Sequence, residues 1–465
     1  MRGSLFAHRI IIIGLPAAAW GLSGCLNATE TPAPASAAAP QSGGDMTLFD
    51  ATSQAFSSPS PGLSPEDLEH HKRGDAIFSA KFVTAPTPVH PGLGPFFNNV
   101  SCVACHGGDG RGRPPEPGEA LAGMLFRISV EGRDAHGGPK PMPGFGGQIQ
   151  TRAQFGATPE AGIAISYQDS VVTFADGGTA TLRVPRYVLQ NPWKPLAGTP
   201  LLSPRVAPPV FGLGLLEAVS EADILSRADP DDADGDGISG RPNHVFDVRA
   251  QAMVLGRFGW KANNPNLDQQ NAGAFNQDMG ITNPIFPVEN CAGDLPACDS
   301  NSNSLDIDSA ALESVAFYLR SLAIPGRRGW DHPQVKRGEA VFAAAGCAAC
   351  HVPELRTGPV DGRPELSLQT FHPYTDLLLH DMGGGLADDR PDFEADGREW
   401  RTAPLWGIGL TRMVSGHTFF LHDGRARNLM EAVLWHGGEA GHAKNAIVQA
   451  TPADRQALIA FLESL

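Results

Sequence analysis

Cys102-Val103-Ala104-Cys105-His106 and Cys347-Ala348-Ala349-Cys350-His351 give the chain two C-x-x-C-H runs. Two thiols about one helical turn apart can each add to a vinyl group of one haem, and the imidazole that follows can reach the iron. A lone C-x-x-C would also fit a redox dithiol or half of a zinc site. A dithiol has no use for the following histidine, and a zinc site wants its second half nearby. Two complete copies predict two covalently bound c-type haems, with His106 and His351 as iron ligands.

Two weaker patterns also carry chemistry. Asp232-Ala233-Asp234-Gly235-Asp236-Gly237 matches the front half of a calcium loop, with Asp232, Asp234 and Asp236 at positions one, three and five and glycine at six. Position twelve is Asn243, so the bidentate glutamate of a regulatory EF-hand is missing, and Asp229 and Asp231 stand near enough to compensate. A structural calcium ion and a solvated acidic turn both fit. Cys291 and Cys298 are close enough to close a small loop. A disulfide is the favoured reading, because covalent haem attachment implies an oxidising compartment, and two free thiols are the alternative.

The elements that must position the motifs show an internal repeat. Lys72-Arg73-Gly74-Asp75-Ala76-Ile77-Phe78 recurs as Lys336-Arg337-Gly338-Glu339-Ala340-Val341-Phe342, each ahead of a C-x-x-C-H run. The second gap is short, and the first is lengthened by TAPTPVHPGLGPFFNN. One short helix leading twice into one motif predicts a duplicated cytochrome c-like domain. Apolar spacing predicts a helix over Ser309 to Leu322, and Pro325-Gly326 marks a domain boundary. Thr451 caps a last helix that Pro452 opens. Alternation over Ser170 to Val184 around Asp176-Gly177-Gly178 predicts a hairpin. The expected fold is therefore mainly α. It has two cytochrome c-like haem domains in tandem, at 61–325 and 326–465, the first enlarged by loops and a small antiparallel β insertion.

Residues 1–25 read as a targeting segment: Arg2 and Arg9, an apolar run too short to span a membrane stably, then Leu22-Ser23-Gly24-Cys25. This ending resembles the lipobox of bacterial lipoproteins, which implies a lipid on Cys25 and a periplasm-facing protein anchored to a membrane. An ordinary secretory signal cleaved nearby is the alternative. Residues 26–60, rich in Ala, Pro, Ser and Thr, read as a disordered tether. A net charge of −15 would repel nucleic acid and anionic membrane surfaces, which disfavours both as binding partners and leaves a basic electron-transfer partner open.

Beyond these patterns, RTAPLWGIGL, FLHDGRARNLMEAVLWHGGEA and the two haem motifs resemble the bacterial di-haem cytochrome c peroxidase superfamily. SPRVAPPVFGLGLLEAVSEADIL and DPDDADGDGISGR are similar to its di-haem oxidoreductase family, also labelled thiol oxidoreductase. The likeness covers residues about 60 to 465. It implies a peroxidase-like oxidoreductase that passes electrons from one haem to a catalytic haem, fed by a small redox donor (a cytochrome or cupredoxin-like protein) and consuming hydrogen peroxide or another small oxidant. The rival readings are a non-catalytic di-haem cytochrome and an oxidase of an organic or protein substrate. The thiol label gains nothing, since four thioethers, a lipid and a disulfide would use every cysteine.

The resemblance also implies site residues. In these peroxidases an HDG phrase precedes a helix whose methionine ligates the C-terminal haem. Here His422-Asp423-Gly424 precedes Glu431-Ala432-Val433, and His436 stands in the methionine's place. Imidazole is also a good sixth ligand, and it would lower the haem potential relative to a thioether. His442, Met413 and Met382 are rivals. At the N-terminal haem, Glu217 is the candidate acid–base residue, its apolar surroundings raising its pKa. His136 and Met142 are alternative ligands there, and Trp193 and Trp330 are candidates for a position between the haems.

Overall fold

The computed structural model describes residues 40–116, 118–291 and 304–465. The repeat is visible in it as two helix crossings. Helix α1 (Pro65–Ser79) starts at Ser64, whose side chain accepts the Asp67 amide. Helices α2 (Leu213–Ala218) and α3 (Leu267–Met279) follow, and α4 (Ser309–Arg320) opens on an Asp308 cap. In the second half come α5 (Pro333–Ala344), α6 (Leu429–Trp435) and α7 (Pro452–Ser464), the last capped by Thr451 with Pro452 in its first turn.

Gly74 and Gly338, the glycines of the two repeat copies, lie where α1 crosses α4 and where α5 crosses α7. A Cβ on Gly74 would fall 2.1 Å from the Ser314 carbonyl oxygen, and one on Gly338 would fall 1.9 Å from that of Ala457. The repeat's aromatic residue packs next to each motif histidine: Phe78 lies 6.2 Å from His106 and Phe342 lies 6.3 Å from His351, ring centre to ring centre. The repeated phrase thus encodes a close helix crossing and an apolar wall beside the imidazole.

The remainder is not helical. Strand β1 (Met124–Ser129) pairs antiparallel with β4 (Leu201–Val206), and between them β2 (Gly162–Thr173) and β3 (Thr179–Gln190) form a long ribbon. Its tip carries Asp176-Gly177-Gly178, with Gly177 at φ +83°, so the hairpin signal holds and the strands run longer than expected. The ribbon docks on the second half of the chain: Arg455 holds Asp176 at 2.6 Å, and the Tyr187 hydroxyl donates to Asp423 at 2.6 Å.

This architecture overturns the expectation of a mainly α fold of two tandem cytochrome c-like domains. Helix accounts for only 27% and strand for 19%, spread over many small sheets. The 54 glycines and 40 prolines explain why, since they interrupt helices and favour turns and short edges. The halves also interlock. Thr47–Leu48 pairs in parallel with Ile324–Pro325, at the expected boundary, and the described residues make one compact unit. Residues 40–60, read as part of the tether, are packed instead, with Met46 and Phe56 buried in the core. Cys25 and residues 1–39 lie outside the described residues. No described helix is long and apolar enough to cross a membrane.

Candidate functional site

Both C-x-x-C-H motifs line one cavity of about 620 Å³, a size suited to large cofactors or ligands. The first motif sits in a turn between α1 and a short 3-10 turn at Gly107–Asp109, and the second opens as a 3-10 turn after α5. Each motif imidazole is oriented the same way. His106 donates Nδ1–H to the Pro208 carbonyl at 2.7 Å, and His351 donates to that of Tyr374 at 3.0 Å. This leaves Nε2 as the ligating nitrogen, which is how proteins usually aim a metal-binding histidine. Burial, against the carbonyl hydrogen bonds, pulls both imidazoles down to about 4 and keeps them neutral.

The four motif cysteines are not in disulfides. Burial pushes the thiols of Cys102 and Cys105 up to about 12 and that of Cys347 up to about 11.

His436 lies at the C-terminal end of α6 and lines the cavity, its Nδ1–H donated to the Ala432 carbonyl at 2.8 Å. Its ring stands 6.5 Å from that of His351 at 48°. Two imidazoles on opposite sides of one metal ion, with bonds of about 2 Å and ring centres about 1.2 Å further out, would stand about 6.4 Å apart. The donor pair therefore fits a haem iron. Among the described residues no imidazole stands across from His106 in this way; the ring beside it is Phe78.

Of the rivals, Met382 lines the cavity, His442 reaches its rim but is exposed, and Met413 lies outside it, 56% exposed. His136 is exposed and stacks on Phe246, and Met142 is buried in an apolar cluster away from the cavity.

Glu217 is corrected. It does not line the cavity; its carboxylate is clamped by Arg320 at 2.5 Å and accepts the Leu267 amide at the start of α3. A carboxylate so engaged is a structural anchor, and the apolar appearance of GLGLLEA concealed an arginine that comes from 103 residues away. Trp193 and Trp330 are corrected too, because neither lines the cavity; Trp193 donates to the Gly144 carbonyl instead. Trp260, Trp400 and Trp406 line it. Trp406 lies between Phe211 and Phe371, at 6.2 and 5.6 Å, each three residues from a carbonyl that orients a motif histidine, Pro208 or Tyr374. It stands in RTAPLWGIGL, so the phrase carrying the resemblance held the signal.

A cluster absent from the sequence reading surrounds Cys350. His380 lies between Asp376 and Glu439, 2.7 Å from each, with Glu439 also held by Ser239. In the calcium-like loop, Asp229, Asp232 and Asp234 bring carboxylate oxygens within 4.8 Å of one another. Asp236 is not among them and accepts the Ile238 amide, while Asn243 is buried with its amide on the Lys261 and Asp392 carbonyls. The other carboxylates also accept backbone amides, as in a solvated acidic turn. Cys291 is disulfide-bonded; its expected partner, Cys298, lies outside the described residues.

One cavity shared by two C-x-x-C-H motifs, each with a neutral and oriented imidazole, is the site of a two-haem protein. The chain belongs to the family described as "Di-haem oxidoreductase, putative peroxidase", which it matches over residues 36–465. No curated protein matches it. Among solved structures it is similar to Kuenenia stuttgartiensis hydrazine synthase, determined under 20 bar of xenon. The identity is 14% and the TM-score 0.35, over 99% of this chain and 100% of that one.

Proposed function

We propose that this di-haem oxidoreductase is a c-type peroxidase, with an electron-transfer haem at His351 and His436 and a catalytic haem at His106. The observation that carries the reading is the asymmetry of the two imidazoles: His351 faces His436 at 6.5 Å, and His106 faces no second imidazole among the described residues. An iron held by two imidazoles serves electron transfer, whereas one with an open side can meet a substrate. When bound, the haems supply one-electron transfer and a peroxide-reactive iron, so that hydrogen peroxide, two electrons and two protons give two waters.

The chain's own residues do the rest. Cys102, Cys105, Cys347 and Cys350 tether the cofactors as thioethers, and Pro208 and Tyr374 fix the proximal rings. Trp406 bridges the two segments whose carbonyls orient the motif histidines and is our candidate for the contact between the haems. Asn271 lines the cavity, and its buried amide Nδ2 has no hydrogen-bond partner among the described residues. Electrons come from a small basic redox protein, since the chain is strongly acidic. Lipid on Cys25 holds the protein on a periplasm-facing membrane surface, and a Cys25→Ser variant should move to the soluble fraction.

Spectroscopy of the purified protein tests the assignment. One low-spin and one high-spin ferric haem, the latter reacting with hydrogen peroxide, is the expected result. Two low-spin haems inert to peroxide even after half-reduction would leave only an electron relay. A high-spin haem unreactive to peroxide but oxidising an organic or protein substrate would favour an oxidase.

A further inference from the structure

Arg111 and Arg401 on the cavity wall have no carboxylate within ion-pair distance among the described residues, and Arg127 on the same wall is held by the neutral side chain of Gln277. Arg111 is 8% exposed, donates Nη2–H to the Leu421 carbonyl at 2.7 Å, and leaves Nε without a partner. Arg401 donates to the Gly259 and Thr402 carbonyls at 3.0 and 3.1 Å. Neither is within ion-pair distance of a carboxylate, in contrast to Arg205 on the same wall, which meets Asp392 at 2.8 Å. Arg257 also lines the cavity, but its guanidinium is committed to carbonyls at the end of α2. Carbonyls offer dipoles rather than charge, and the carboxylates that act on these cations, Asp423 on Arg111 and Asp376 on Arg401, do so only from beyond ion-pair distance, which leaves room for a closer anion.

Their positions say which anion. Both flank one turn: Arg111 lies over the Trp260 ring at 5.7 Å, and the Arg401 amide donates to the Trp260 carbonyl at 2.9 Å. Arg111 follows the first motif by five residues. Arg401 precedes Thr402, whose carbonyl accepts Thr375 beside Tyr374, the residue that orients His351. Arg111 is therefore tied to the loop that carries His106 and Arg401 to the segment that orients His351, and both line the shared cavity.

We propose that Arg111 and Arg401 bind the carboxylates of the cofactors, one arginine serving the propionates of each haem. The inference rests on haem filling this cavity and is independent of which haem reacts with peroxide. A guanidinium on a propionate cancels negative charge near the iron, favouring the ferrous state, and its planar fork fits a carboxylate as an ammonium does not.

The test uses the full-length, haem-loaded protein and the variants Arg111→Leu, Arg111→Lys, Arg401→Leu and Arg401→Lys. Haem content is read first; a wild-type count other than two overturns the underlying reading separately from this one. Potentiometric titration should then show a lower midpoint for one haem in Arg111→Leu and for the other in Arg401→Leu, with the propionate bands in resonance Raman spectra shifted. The lysine variants should recover the potential but not the band, and they carry the test if a leucine variant loses haem. Potentials and propionate bands unchanged from wild type would overturn the proposal. So would a saturable acetate response of the wild type that Arg111→Leu abolishes without moving the bands, because the arginines would then hold a free anion.

Discussion

The rings of His351 and His436 stand 6.5 Å apart, and both are turned by backbone carbonyls, those of Tyr374 and Ala432. Those hydrogen bonds use Nδ1 on both rings and leave Nε2 as the nitrogen available to a metal ion, a step of preorganisation that a six-coordinate centre needs. His436→Ala should convert one haem from low-spin to high-spin while the other keeps its spectrum. His436→Met should keep that haem low-spin and raise its potential by roughly 0.1 V, a fraction of the range that axial ligation spans. A low-spin bis-histidine signal that persists in His436→Ala would assign the ligand elsewhere, with Met382 and His442 the nearest alternatives on the wall.

Trp406 is 5% exposed and in ring contact with Phe211 and Phe371. Trp406→Phe keeps most of the packing and shortens the aromatic bridge. The expected result is two haems with unaltered spectra and peroxide turnover reduced by about tenfold, equivalent to about 1.4 kcal/mol in the barrier. Rapid-mixing reduction of one haem, followed by the reoxidation of the other, reads the inter-haem step directly. Unaltered transfer in this variant would move the bridge to Trp260 or Trp400.

Much of this site was legible because its chemistry is local. Two cysteines and a histidine within five residues define the attachment point, and the glycine and phenylalanine of the repeat act through the helix turn they sit on. His436 was legible only through its place in a longer phrase. What the sequence could not show was assembled across long separations. Arg320 reaches Glu217, Asp376 and Glu439 enclose His380, and the β2–β3 ribbon of the first half packs against Asp423 of the second. The mainly α expectation failed for the same reason. Helical periodicity marks the helices around the motifs, but short paired strands such as Thr47–Leu48 with Ile324–Pro325 leave no periodic trace.

Glu217 illustrates the difference between an apolar neighbourhood in sequence and one in space. Its carboxylate joins Arg320 and the first amide of α3, and Arg320 also meets Asp268 at 3.1 Å. Glu217→Gln should lower unfolding stability by about 1–3 kcal/mol, the range for losing one side of a partly buried, charge-assisted contact. Peroxide turnover per haem should not change. A loss of turnover with stability intact would restore Glu217 as a proton donor.

His380 makes stability depend on pH in a direction that can be derived. Burial alone would lower an imidazole's pKa, but the contacts to Asp376, the Cys350 sulfur and Glu439 outweigh it and push His380 up to about 12. Burial would raise Glu439, yet its hydrogen bond to His380 holds it down at about 2. For His380 the folded value lies above the ordinary 6.5, so its contribution is full below about pH 6.5 and is lost as the pH rises toward 12. For Glu439 the folded value lies below the ordinary 4.5, so its contribution is full above about pH 4.5 and is lost as the pH falls toward 2. Thermal unfolding should therefore show this cluster's greatest stabilisation between those limits, declining from pH 6.5 to 9. His380→Gln leaves the buried carboxylate of Asp376 and the partly buried one of Glu439 without their cation and should cost about 3 kcal/mol near neutrality. The same variant should gain stability on acidification, because protonation then relieves the buried charge, so its profile below pH 4.5 should run opposite to that of the wild type. Parallel profiles for the two proteins would show that the imidazole of His380 is neutral in the folded state.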